Sequence, residues 1–99
     1  MNQKLRVALL QEHDRGSVSA NLNRIEEGLR EAAKSGVELV LLQELHNGPY
    51  FCQHESVAEF DRAETIPGPS TQHIGALADA LKLVVVASLF ERRASGLYH

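Results

Sequence analysis

Three short apolar runs alternate along the chain with two longer segments in which apolar residues recur every three or four positions. The first run, Leu5 to Leu10, is broken only by Arg6. The second, Val37 to Leu42, passes through Gln43 straight into Glu44. The third is LVVVASLF, Leu83 to Phe90. Short runs rich in Val and Leu, without strict alternation, predict strands buried on both faces. Between the first two, Val18, Leu22, Ile25, Leu29, Ala32 and Ala33 follow a helical period, with Arg24, Glu27, Arg30, Glu31 and Lys34 on other faces. Ser17 and Ser19 are candidate N-caps, and Gly36 stands where a left-handed residue ends such a helix. A second helix is predicted from the stripe Ile74, Leu77, Ala78 and Leu81, capped by Ser70 or Thr71 after the Pro67-Gly68-Pro69 break, with Lys82 near the negative end of its dipole. Ser56 to Arg62 is expected to form a helical turn or two, and the polar tail Glu91 to His99 carries no predicted element.

Strand, helix, strand, helix, strand implies an α/β fold with a parallel βαβαβ sheet. Such a sheet needs cover on both faces. If both crossovers run the same way, both helices fall on one face and the other stays bare. About nine alternate strand side chains would then meet solvent, each forfeiting roughly 1.5–3 kcal/mol of burial. The chain is therefore expected to need another sheet, another subunit or more polypeptide to be complete.

Composition narrows the function classes without choosing one. A length of 99 residues allows one domain, and 43% apolar with 23% charged residues is ordinary for a globular chain. A net charge of −3 offers neither a basic stripe for nucleic acid nor a polybasic membrane patch. The start of the chain lacks a signal-peptide cleavage pattern, and no stretch approaches a membrane span. A single cysteine excludes an intrachain disulfide framework, so a reducing cytoplasm is the default setting.

Open parallel sheets bind ligands beyond the carboxyl ends of their strands. Those ends hold Gln11, Glu12 and His13, then Gln43, Glu44 and His46, then Glu91 and Arg92. Glu44 is a candidate general base, provided burial lifts its pKa from the free value of about 4.3 toward neutrality. The plainer alternative is a surface carboxylate paired with a neighbouring Arg, and spacing alone favours that one. Cys52 with His46 or His54 as base is a possible nucleophile pair, but no nucleophile-elbow pattern surrounds it, and a buried or half-buried loop thiol is the better expectation. His13, His46 and His54 match no zinc-ligand spacing, so no metal site is expected. Neither Gly48-Pro49 nor Pro67-Gly68-Pro69 reads as a phosphate-cradling loop. Tyr50, Phe51, Val57 and Phe60 are expected to fill core.

Together these blocks resemble the N-terminal part of the nitrilase, or carbon–nitrogen hydrolase, superfamily. The resemblance rests on the helix pattern Asn21, Ile25, Gly28, Leu29, Ala32 and on the strand ending at Glu44. PYFCQ (Pro49 to Gln53), PGPST (Pro67 to Thr71) and SLFERRASGLYH (Ser88 to His99) bring it nearest to the N-carbamoylputrescine amidases. Many superfamily members have Pro before the glutamate, where this chain has Gln43. The resemblance implies a nitrilase-like α-β-β-α sandwich, of which residues 1–99 would be the N-terminal βαβαβ part of a single domain. It implies a Glu–Lys–Cys triad in which Glu44 is the base, while the lysine and the nucleophilic cysteine are expected C-terminal to His99. No metal or organic cofactor is implied. The implied substrate is a small N-carbamoyl amine, and the intact enzyme is expected to be a homo-oligomer. A diamine product would present an ammonium that suits a carboxylate such as Glu59, Asp61 or Glu64. Other members of the superfamily, of β-ureidopropionase or ω-amidase type, and a non-catalytic βαβαβ interaction module remain alternatives. The 99 residues alone are expected to be inactive.

Overall fold

In a computed structural model, which describes residues 3–53 and 55–99, the elements run β1 (Val7–Leu10), α1 (Val18–Lys34), β2 (Leu39–Leu42), α2 (Pro69–Leu81), β3 (Val84–Val86), β4 (Arg92–Ala94) and β5 (Leu97–Tyr98). Two 3-10 segments, Phe51–Gln53 and Val57–Arg62, occupy the long connection between β2 and α2. The first three strands form a parallel sheet in the order β1-β2-β3, and β4 pairs antiparallel with β5.

Each helix starts and stops for a local reason. Ser17 caps α1, its hydroxyl oxygen accepting from the Ala20 N–H at 3.1 Å. At the other end Gly36 (φ +78°) donates to Ala33 O and Val37 donates to Ala32 O, the paired bonds of a Schellman ending that only a residue free to adopt positive φ closes cheaply. The start of α2 differs from expectation. Ser70 and Thr71 lie inside the helix, Gly68 is the N-cap residue and Pro69 is the first helical position. The free N–H of Ser70 is met instead by the Glu64 carboxylate at 2.8 Å, a charge well suited to the positive end of the helix.

The core lies between the sheet and both helices: Ile25 and Leu29 from α1, Val40 and Leu42 from β2, Ile74 and Leu77 from α2, and Leu83. The pattern Asn21, Ile25, Gly28, Leu29 is the sheet-facing stripe of α1, every one of these residues buried. Gly28 is needed there, because a Cβ at that position would sit 2.7 Å from both terminal methyls of Leu10.

Both helices cover the same face. The register aligns Val7, Leu39 and Val84 in one row and Leu9, Leu41 and Val86 in another, and these rows point away from the helices. Leu9 is 75% exposed and Val84 60%, so the bare face predicted from the element order is present. It is smaller than predicted, two side chains per strand, because the strands are shorter than their apolar runs. The third run leaves the sheet after Val86, the partner of Leu41, one position short of the end of β2. Phe90 O instead accepts from the Glu64 N–H at 2.8 Å, and Arg92 donates to Glu64 O at 2.7 Å. The tail, where no element was expected, folds into the β4–β5 hairpin across Gly96 (φ +75°).

Because this face is flat, apolar and uncovered, the 99-residue chain is expected to self-associate and to bind ANS. Placing lysines at Leu9 and Val84 is expected to suppress both while leaving the far-UV circular dichroism unchanged. Light scattering and dye titration read the outcome, and a parent chain that stays monomeric and dark in ANS contradicts it.

Candidate active site

Glu44 stands two residues past the end of β2, at the start of a tight turn covering residues 44–47. The turn is built around Leu45 in the left-handed region (φ +51°), a conformation costing a non-glycine residue roughly 1–2 kcal/mol. That strain persists because buried polar groups hold the turn from below. Asn21 projects from the first turns of α1, buried, and its Nδ2 donates to Asn47 O at 3.0 Å and to Asp14 Oδ1 at 2.9 Å. Its Oδ1 accepts from the Arg15 N–H at 2.7 Å. One amide therefore ties the loop after β1 to the turn after β2. Asn47 Nδ2 in turn donates to Glu64 Oε2 at 2.7 Å and lies 3.2 Å from Ser70 Oγ, which itself donates to Glu64 Oε2 at 2.6 Å. Gln43 adds a further tie, its side-chain oxygen accepting from the Glu12 N–H. A proline would leave no such acceptor to join the ends of β1 and β2.

The other strand-end groups are committed elsewhere. Glu12 pairs with Arg15 and Arg24, each at 3.0 Å. Glu91 pairs with Arg93 at 3.0 Å and joins the short bridge to Glu64. Gln11, His13 and Arg92 are exposed. Glu44 is exposed too, and among the described residues its carboxylate has neither a cation nor a hydrogen-bond partner. The neighbouring Arg that the plainer reading required is absent among those residues. Nor do those residues bury Glu44.

His46 points inward. It is 5% exposed, and neither ring nitrogen finds a partner among the described residues. Burial holds its pKa below the ordinary imidazole value, opposed more weakly by the nearby Glu64 carboxylate. An imidazole enclosed in this way does not serve as a base for Cys52, and His54 lies outside the described residues. Cys52 itself is exposed, which corrects the expectation of a buried or half-buried thiol. The loop aromatics are corrected likewise. Val57 is 82% exposed, and Tyr50 and Phe60 are also exposed. Rather than filling core, Phe51, Phe60, Phe90 and Tyr98 pack on one another at centroid separations of 4.4–6.1 Å, beside the sheet.

Two features of this site were missed in the residue pattern. Glu64 is the hub of the polar frame, and nothing in its spacing marks it, because its partners come from a turn and from a helix start. Tyr50 interacts electrostatically with the candidate base. The Glu44 carboxylate, then the Cys52 thiol, push its hydroxyl above the ordinary phenol pKa. Asn21 did leave a signal: a polar residue set among the apolar positions of a helix stripe.

A three-stranded parallel sheet with both helices on one face and a glutamate turn at the end of its middle strand is one part of a layered α/β architecture. Residues 6–99 match the carbon-nitrogen hydrolase family, and the chain belongs to that family. It is 35% identical over 99 residues to an N-carbamoylputrescine amidase of Solanum lycopersicum, covering 99% of this chain and 33% of the relative. It is 32% identical to a citrullinase of Francisella tularensis (96% of this chain, 34% of the relative) and 37% identical to an omega-amidase of Bos taurus (95% and 33%). Among solved structures, a carbon-nitrogen hydrolase from Helicobacter pylori G27 superposes with a TM-score of 0.89 at 37% identity, over 96% of this chain and 33% of that one. The chain thus spans about a third of the length of the relatives it matches.

Two outcomes follow from the polar frame. Asn21→Ala leaves Asn47 O and the Arg15 N–H without their buried partner and is expected to cost about 1–3 kcal/mol, read by urea unfolding, with faster amide exchange at residues 44–47. The folded His46 pKa lies below that of the unfolded imidazole, which titrates near 6.5. Its contribution is therefore complete above about pH 6.5 and is lost as pH falls below that value, because the unfolded chain takes up the proton more readily. His46→Phe is expected to flatten this part of the stability–pH curve. An unchanged slope between pH 7 and 5 contradicts the assignment.

Proposed function

We propose that residues 1–99 are the N-terminal part of a single carbon-nitrogen hydrolase domain and that Glu44 is its general base. The observation that carries this reading is an uncommitted carboxylate at the tip of the middle strand, on a strained turn fixed by Asn21, Asn47 and Glu64. Polar cross-links that hold such a turn preorganise a group for proton transfer, and a positioned base contributes about 10²–10⁴-fold in rate. In the complete enzyme Glu44 takes the proton from a cysteine thiol as it attacks the substrate carbonyl, gives it to the departing ammonia, and later takes one from the water that releases the acyl group. The lysine and the nucleophilic cysteine of that triad come from polypeptide beyond these 99 residues. Desolvation of Glu44, which this segment does not provide, comes from the same source.

The substrate is an N-carbamoyl amine, in the first instance N-carbamoylputrescine, which with one water yields putrescine, ammonia and carbon dioxide. The support for that choice is the similarity to amidases of this name in Solanum lycopersicum and Oryza sativa, at 35% and 38% identity. Such a reaction places the protein in putrescine formation in the cytoplasm.

Purified alone, the 99-residue chain is expected to release no ammonia from N-carbamoylputrescine. Grafted in place of the aligned first third of the tomato relative, it is expected to support turnover, and Glu44→Gln in that graft to lower kcat by about 10²–10⁴-fold with unchanged circular dichroism. A Glu44→Gln graft as active as its parent overturns the assignment.

A further inference from the structure

Glu64 does more at the start of α2 than a helix needs. A cap requires one acceptor for the free Ser70 N–H, and Glu64 Oε1 supplies it at 2.8 Å. Oε2 collects two side-chain donors instead, the Ser70 hydroxyl at 2.6 Å and Asn47 Nδ2 at 2.7 Å. Asn47 closes the turn that Glu44 opens and belongs to no helix. The main chain of Glu64 is pinned as well. Its N–H donates to Phe90 O at 2.8 Å and its carbonyl accepts from the Arg92 N–H at 2.7 Å, so the carboxylate is seated on the segment after β3. None of its three donors is a cation. Its charge is spent on holding neutral groups in place.

The backbone of Asn47 is held from the other side by Asn21, whose Nδ2 donates to Asn47 O. Both ends of one residue are thus fixed, three positions from Glu44. Nothing else aims Glu44: its carboxylate is exposed and has no partner among the described residues, so the backbone of the turn alone sets its direction. Between the two stands Leu45 at φ +51°, a residue with a more favourable right-handed conformation open to it once the turn is released. That reversal re-aims the peptide carrying Glu44. A misplacement of about 1 Å in a reacting group costs on the order of a hundredfold in rate.

We propose that Glu64 is a positioning residue of the hydrolase: acting through Asn47, it sets the direction of the Glu44 carboxylate and thereby kcat, without itself touching substrate. The inference rests on the reading of Glu44 as the general base and adds to it a residue whose effect reaches the chemistry only through that base. A purely architectural anchor lowers stability, and it lowers activity by the same factor whether or not Glu44 is present. A positioning residue loses its effect on the rate once the group it aims is gone.

A double-mutant cycle in the graft onto the tomato relative tests it, with circular dichroism and thermal unfolding on every variant. Glu64→Ala deletes the anchor. Asn47→Ala cuts only its link to the turn, leaving both Ser70 bonds to Glu64 in place, and decides the case should Glu64→Ala not fold. Each is expected to lower kcat for N-carbamoylputrescine about ten- to a hundredfold, with KM changed by less than about twofold. Added to Glu44→Gln, each is expected to lower kcat no further. An Asn47→Ala graft with its parent's kcat overturns the positioning role and leaves the base assignment standing. So does a further loss of about tenfold when Asn47→Ala is added to Glu44→Gln, the additive result of independent roles. A Glu44→Gln graft with full turnover removes the base assignment and the positioning role together.

Discussion

One buried amide fastens the candidate site to the fold. Asn21 lies in the stripe of α1 that otherwise packs apolar side chains on the sheet, and its amide makes three hydrogen bonds, two donated and one accepted, to two loops. A buried polar group without partners costs about 1–3 kcal/mol, so the loops and the helix hold one another in register. Asn47 passes this constraint to Glu64, and Glu64 passes it to the start of α2. The turn bearing Glu44 is thereby tied to both helices, although its own backbone includes a leucine in a left-handed conformation. Such strain at a strand tip persists only when its surroundings over-determine it.

The same construction explains how the two faces of the sheet divide their work. Helices pack on one face, burying Val40 and Leu42 and half-burying Ala8, Leu10 and Val85, and the other shows two apolar side chains from each strand. The chain spans about a third of the length of its relatives. Glu44 lies just beyond the tip of the middle strand, exposed and with no partner among the described residues.

Periodicity in the sequence revealed the helices, the parallel strands and the bare face, because each depends on spacing along a single element. Ser17 and Gly36 mark the ends of α1 for the same reason. Features that depend on two elements meeting were not visible. The third run leaves the sheet after Val86 and its Phe90 O accepts from the Glu64 N–H, and the N-terminus of α2 is met by a glutamate six residues earlier rather than by its own serine. Cys52, Val57 and Phe60 have apolar or buried habits, but they sit on a connection that lies beside the core, where nothing in the described chain covers them. Of the candidate site, only the position of Glu44 stood out in the sequence, as a carboxylate ending an apolar run. Asn47 and Glu64, its supports, became visible only once the loops were brought together.

The most direct test of the account is chemical rescue of the base. In the graft onto the tomato relative, Glu44→Gly removes the carboxylate but leaves the turn residues that bind Asn21 and Glu64. Turnover of N-carbamoylputrescine is then measured against formate concentration at fixed ionic strength. If Glu44 is the proton acceptor, the rate is low without formate and rises with it, while the parent graft is indifferent. A Glu44→Gly rate that is low and stays flat across the formate series, or that equals the parent's without formate, contradicts the account.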